Sequence, residues 1–106
     1  MFAVWEPMLL TDWAAPTTIV LHRMRDLRTR QYWDENHLLA IRMAQDARPP
    51  QPAQDCCTRN EILWDLAAVY PKGVRWTDRI PAATLFDGPV VDVADRIEAA
   101  ISARRP

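Results

Sequence analysis

The chain has 106 residues, of which 49% are hydrophobic, and its formal net charge is −1. This length predicts one small domain, residues 1–106, with a limited core. The near-neutral charge gives no general attraction to polyanions, and no apolar run approaches the ~20 residues that span a bilayer. We therefore expect neither a nucleic-acid nor a membrane partner. No secretory signal is present, so a cytoplasmic location is expected if the chain is complete as given.

The first predicted element is a buried strand. Phe2-Ala3-Val4-Trp5 is apolar throughout and Pro7 soon ends it, which is typical of a strand covered on both faces of a parallel sheet. Because this strand has no polar lead-in, we expect the sequence to be the second half of an α/β domain. Pro16 then predicts a short helix through residues 19–24. The polar residues 25–32 are predicted to be irregular.

A second helix is predicted after Asp34, whose carboxylate can cap its first turn. Its apolar stripe is formed by Leu38, Leu39, Ile41 (or Arg42) and Met43. Three prolines within residues 47–55 fix the backbone and remove amide donors, so this segment is expected to be an extended surface connection.

A hairpin and a closing helix are predicted for the rest of the chain. Residues 62–70 form the best strand pattern, and the turn residues Pro71-Lys72-Gly73 lead to a second strand at 74–76. Asp87-Gly88-Pro89 then opens a helix as a cap and a first-turn proline. The apolar stripe of that helix is formed by Val90, Val93, Ala94, Ile97, Ala100 and Ile101.

The order of these segments and their amino-acid sequences resemble those of bacterial thioredoxin-like domain proteins over nearly the whole chain. The segments that carry the resemblance are Phe2-Ala3-Val4-Trp5-Glu6-Pro7-Met8-Leu9 with Thr11-Asp12-Trp13, then Gln31-Tyr32-Trp33-Asp34, Trp64-Asp65-Leu66-Ala67-Ala68-Val69-Tyr70-Pro71 and Gly73-Val74-Arg75-Trp76. The resemblance implies an α/β chain with a partial thioredoxin-like fold: a strand, helices, a β-hairpin and a C-terminal helix. It also implies that the complete form acts in thiol–disulfide redox chemistry.

The reactive thiols of that family belong to a Cys-x-x-Cys motif at a helix N-terminus, where the thiol pKa is lowered. This sequence has no such motif, so we expect the chain alone not to be catalytic and to need no cofactor. The family also places a cis-proline just before the strand leading into the hairpin, and Asn60-Glu61 stand there instead. With one strand missing between them, the strands at Phe2 and Ile62 are expected to pair directly in parallel.

Cys56 and Cys57 are the candidate redox or soft-metal thiols. Adjacent thiols can chelate a soft ion or close a small disulfide ring, and strained disulfides are the more easily reduced ones. The alternative is two ordinary loop cysteines, one of them packed inward. A zinc site is not expected, because two thiols need two further ligands and His22 and His37 lack the spacing of a zinc finger.

Other polar candidates have simpler interpretations. Glu6 and Asp12 flank the end of the first strand, where α/β sheets bind ligands, but carboxylates there are more often caps or turn formers. His22 and His37 are expected on helix surfaces. The basic stretch 22–30 is interrupted by Asp26, and a solvated loop explains it better than phosphate binding.

The five tryptophans are expected mainly in the core, and an exposed pair would mark a partner surface. The alternative function is therefore a small interaction module. Such a module would bind a protein chain, or a missing N-terminal half of its own domain, through exposed sheet edges and tryptophans.

Overall fold

The computed structural model describes residues 1–7, 14–22, 24, 26–54 and 56–104. It contains short strands and helices, which confirms the predicted mixed α/β class. The chain divides into two compact units, unit 1 (Met1–Ala40) and unit 2 (Ile41–Pro106). No helix within these described ranges is both long and apolar enough to cross a membrane.

Unit 1 is built on a parallel strand pair. Strand β1 (Phe2–Trp5) is followed by the short helix α1 (Thr18–Leu21) and by strand β2 (Arg30–Trp33). Phe2 lies opposite Arg30 and Trp5 opposite Trp33. A helical crossover is the usual way for consecutive strands to run parallel. The strand predicted at the start of the chain is present, but the prediction that both of its faces are buried is wrong, because Phe2 and Val4 are 71% and 39% exposed. The predicted short helix is also present and ends at Leu21.

Two predictions about unit 1 are wrong. Residues 30–33 form a strand rather than irregular chain, and the parallel partner of β1 is β2 rather than the segment at Ile62. The strand was not predicted because Arg30 and Gln31 break the apolar pattern of a buried strand. An edge strand in a two-stranded sheet tolerates such polar residues, whereas a central strand would exclude them. The backbone of β1 finds its partners within its own β-α-β segment.

The side chain of Gln31 joins three parts of unit 1. The indole Nε1 of Trp5 donates a hydrogen bond to Gln31 Oε1 at 2.9 Å, and Gln31 Nε2 donates to the carbonyl oxygen of Leu21 at 2.9 Å. Both ends of the amide are therefore satisfied, as a half-buried polar side chain requires. Gln31 links β1, β2 and the end of α1.

Helix α2 (Leu38–Asp46) is present with Asp34 as its cap, but it begins four residues after Asp34. The expectation that His37 lies on a helix is therefore wrong, since His37 precedes α2 with a φ of 56°. The Asp34 carboxylate accepts hydrogen bonds from the N–H groups of Leu38, Leu39 and Ala40 at 2.8, 3.0 and 3.2 Å. These donors have no partner inside the helix, so the carboxylate stabilises the first turn. The predicted apolar stripe is only partly buried, since Leu38 is 72% exposed.

Unit 2 contains a short hairpin that the sequence pattern does not predict. Strands β3 (Thr58–Arg59) and β4 (Ile62–Leu63) pair antiparallel, and Asn60 and Glu61 connect them with φ values of 52° and 64°. Two central residues with positive φ are typical of the type I′ turn that suits a two-residue hairpin loop. The predicted strand at 62–70 is interrupted at Asp65, whose φ is 49°.

The second half of that predicted strand is β5 (Ala67–Val69), and it pairs antiparallel with β6 (Leu85–Asp87). The prediction of a hairpin with residues 74–76 is therefore wrong. Burial explains the choice of partner. Leu85 and Phe86 are 5% and 1% exposed, whereas Val74 and Trp76 are 42% and 45% exposed. Pairing with β6 removes more apolar surface from water.

The last elements in the described part of the chain are a short 3₁₀ helix (Val90–Asp92) and helix α3 (Ala94–Ala103). The predicted closing helix is confirmed, but it begins later than expected because Asp87 belongs to β6.

The core cluster of unit 2 consists of Cys57, Leu63, Ile80 and Phe86. Two buried polar side chains, Asp46 and Gln51, fix the segment that leads into β6, and we call them the polar clamp. Asp46 Oδ2 accepts a hydrogen bond from the Ile80 N–H at 2.9 Å. Gln51 donates to the Pro81 carbonyl oxygen at 2.6 Å and accepts from the Ala83 N–H at 2.9 Å. The clamp thus satisfies backbone groups that have no strand or helix partner.

The acid stability of the protein should depend on Asp46. The hydrogen bond from the Ile80 N–H holds the pKa of Asp46 below its ordinary value, with help from the Arg42 guanidinium and against the effect of burial. A lowered folded-state pKa gives stability that is complete above the unfolded value of about 3.9 and is lost as the pH falls through the folded value.

We therefore expect Asp46→Asn to lower the urea midpoint at pH 7, and the difference from the wild type to shrink as the pH falls below about 4. Urea unfolding followed between neutral and acid pH measures this. Glu98→Gln, which removes an exposed carboxylate on α3, is the control and should leave the profile unchanged. Parallel pH profiles for Asp46→Asn and the wild type would contradict the role of the clamp.

The hairpin turn offers a second test. Glu61 has a side chain in a backbone region that favours glycine, so Glu61→Gly should raise the free energy of unfolding by about 0.5–1 kcal/mol. The matched control is Glu98→Gly inside α3, which should lower it by about 1 kcal/mol. Chemical denaturation gives both values, and a loss of stability in both variants would refute the left-handed turn.

Candidate functional site

A disulfide joins Cys56 and Cys57, the two neighbouring cysteines that the sequence singles out. The pair lies in unit 2, immediately before β3. Its position on a loop next to a fixed hairpin is typical of functional residues, which loops present and regular elements position. The predicted candidate thiols are thus brought into one covalent unit.

The two sulfur-bearing residues differ in their surroundings. Cys57 is 3% exposed and belongs to the core cluster with Leu63, Ile80 and Phe86, whereas Cys56 is only half-buried. The backbone of Cys57 is also fixed, because its carbonyl oxygen accepts a hydrogen bond from the Trp64 N–H at 2.8 Å. One cysteine is therefore part of the core and the other lies at its boundary.

An open hollow of about 300 Å³ lies beside the disulfide, and we call it the disulfide hollow. It is lined by Cys56, Cys57, Thr58, Arg59, Trp64, Asp65 and Pro89. Trp64 is 39% exposed and supplies an aromatic wall. Among the described residues, no carboxylate forms an ion pair with Arg59. A small molecule can thus reach the disulfide from solvent through a mainly apolar opening.

Gly88 completes the packing around Cys57. A Cβ atom at position 88 would lie 2.5 Å from Cys57 Sγ and still closer to the Asp65 carbonyl oxygen, so only glycine fits. Asp65 is held in turn, because its Oδ1 accepts a hydrogen bond from the Val90 N–H at 3.2 Å. The backbone after β6 therefore closes the inner side of the disulfide.

This arrangement can perform two kinds of chemistry. The disulfide can accept two electrons from thiols, and the reduced pair would present two soft sulfur ligands. Within the described ranges, no group of three or more His, Cys, Asp and Glu side chains is placed to hold a metal ion. Among the described residues, soft-ion capture would therefore depend on the two sulfurs.

Two of the candidate residues in unit 1, Glu6 and His37, lie close to each other. His37 Nδ1 lies 3.4 Å from Glu6 Oε2, a contact that the sequence does not reveal because β2 was not predicted. Burial is the main cause that raises the pKa of Glu6, and His37 opposes it. Both residues follow the carboxyl ends of parallel strands, and that shared edge is the signal that could have paired them. Asp12 lies outside the described residues.

The remaining candidates are distributed over the surface. His22 is exposed after α1, and the exposed Asp26 and Arg28 form an ion pair at 2.6 Å that holds the pKa of Asp26 well below its usual range. Arg23, Arg25 and Trp13 lie outside the described residues. Trp5 and Trp33 are half-buried, whereas Trp64 and Trp76 are 39% and 45% exposed.

The packing at Gly88 gives a test of the site's inner wall. Gly88→Ala should reduce the free energy of unfolding by about 1–3 kcal/mol, because the added methyl group meets backbone and sulfur. Gly73→Ala is the matched control. Its Cβ meets no atom within 4 Å, and its cost comes from the φ of 84° alone, about 1 kcal/mol. A urea midpoint of Gly88→Ala equal to that of the wild type would argue against the close contact at Cys57.

No protein-family model matches the chain. No curated protein and no solved structure matches it either. The function must therefore be argued from the residues of the site.

Proposed function

We propose that Cys56 and Cys57 form a thiol–disulfide exchange site in a thioredoxin-like protein. The observation that carries the proposal is a disulfide between neighbouring cysteines that lines an open hollow. Two thiols of a reductant would become one disulfide while Cys56 and Cys57 become two thiols, which transfers two electrons and two protons.

The order of elements supports the thioredoxin-like part of the proposal. A parallel β-α-β pair is followed by α2, by the short hairpin of β3 and β4, by the antiparallel pair of β5 and β6, and by the closing helix α3. Thioredoxin-like domains use this succession of parallel crossover, antiparallel pair and terminal helix. Strand β5 lies within the segment from Trp64 to Pro71, which is one of the segments that carry the sequence resemblance. In this proposal the chain supplies the downstream part of such a domain.

The proposed exchange is stoichiometric rather than catalytic. Turnover of protein disulfides in the family requires the Cys-x-x-Cys motif, in which a helix N-terminus stabilises the attacking thiolate. Cys56 and Cys57 precede a strand instead. The pair is therefore expected to be reduced and reoxidised once per chain by a thiol partner.

The experiment equilibrates the full chain in buffers of different ratios of reduced to oxidised glutathione. Free thiols are then alkylated under denaturing conditions and counted by mass spectrometry. We expect no label at the oxidising end, two labels at the reducing end and one reversible transition between them. Since Trp64 lines the hollow, its fluorescence should rise on reduction, and Trp64→Phe should remove this change.

Cys57→Ser is the control for the pairing, because it leaves one thiol that cannot close the internal disulfide. Two free thiols at every buffer ratio in the wild-type protein would overturn the proposed function.

A further inference from the structure

The asymmetric burial of the disulfide suggests a fixed direction of exchange. Resting on the proposed function, we infer that an incoming thiolate attacks Cys56 and that Cys57 is the buried leaving thiol. Displacement at sulfur requires the nucleophile to approach opposite the departing sulfur. The direction of attack is therefore set by which sulfur the solvent can reach.

Accessibility favours attack on Cys56. Both cysteines line the disulfide hollow, but Cys56 is half-buried and is the more exposed of the two. Cys57 is 3% exposed, and its neighbours in the core cluster are Leu63, Ile80 and Phe86. A thiolate that attacked Cys57 would have to push these side chains apart, and opening a closely packed core is costly in free energy.

The surroundings of Cys57 can hold the thiol that the exchange produces. Cys57 Sγ lies 3.6 Å from the carbonyl oxygen of Asp65, within reach of an S–H donor once the disulfide is broken. After protonation, the released thiol can donate a hydrogen bond to this carbonyl oxygen. The carbonyl has a fixed place, because Gly88 packs against it.

The exchange then proceeds in two balanced steps. The thiolate of a small thiol forms a bond to Cys56 Sγ, the bond between the two cysteines breaks, and its electron pair leaves on Cys57 Sγ, which is protonated from solvent. A second small thiolate attacks the small-thiol sulfur of this mixed disulfide. A small-molecule disulfide is released, and Cys56 remains as a thiolate that solvent protonates.

Single-cysteine variants test the direction. Reduced Cys57→Ser, which keeps Cys56, and reduced Cys56→Ser, which keeps Cys57, are each treated with glutathione disulfide, and the adduct is followed by mass spectrometry. We expect Cys56 to react about tenfold faster or more, because a buried thiol is inert. Repeating the reaction in urea is the control, and there the two rates should converge.

The wild-type chain gives an independent measurement that does not depend on the folding of a variant. The reduced protein is treated with a substoichiometric amount of iodoacetamide, and fragmentation of the labelled peptide locates the label. Label mainly on Cys56 is the expected result. Equal labelling, or label mainly on Cys57, would overturn the inference.

The two proposals can fail separately. If no disulfide forms in the glutathione buffers, the proposed function fails. If the disulfide forms and exchanges but the adduct lies on Cys57, the proposed function stands and only the direction is refuted.

Discussion

Hydrogen bonds from the polar clamp to an irregular segment determine how unit 2 is assembled. Asp46 and Gln51 bind backbone groups of Ile80, Pro81 and Ala83, and these groups have no partner in a strand or helix. A buried backbone group without a partner costs about 1–3 kcal/mol, which is more than an ordinary hydrogen bond contributes. The clamp therefore allows Ile80 to enter the core and brings the following residues to β5.

The candidate site depends on the clamp through β6 and Gly88. Once β6 pairs with β5, Gly88 follows directly and meets Cys57 and the Asp65 carbonyl. The ion pair between Asp87 and Arg96 joins β6 to α3 at 2.7 Å, but it is exposed and water screens it. Packing and buried hydrogen bonds, rather than surface charge, thus fix the inner sulfur, while the outer sulfur remains open to reagents.

The sequence predicts the elements whose signals are local. Asp34 lies just before an apolar helical stripe, and its carboxylate caps α2 because the donors are only four to six residues away. The closing helix and the strand at Phe2 are predicted for similar reasons. The adjacency of Cys56 and Cys57 likewise identifies the candidate site from the sequence alone.

The elements that escape prediction depend on distant partners. Pro71-Lys72-Gly73 is a strong turn signal, yet the partner of β5 is chosen by the burial of Leu85 and Phe86 far along the chain. The turn at Asn60-Glu61 escapes because glutamate rarely adopts positive φ. The unequal burial of the two cysteines follows from the core that surrounds Cys57, and no local pattern encodes it.

The link at Gln31 has a consequence for how the chain ages. Deamidation would replace the Nε2 group with an oxygen, and the resulting glutamate could still accept from the Trp5 indole but could no longer donate to Leu21. Two acceptors would then face each other where a donor and an acceptor now meet. A change of one atom type would thus remove the hydrogen bond that links the end of α1 to β2.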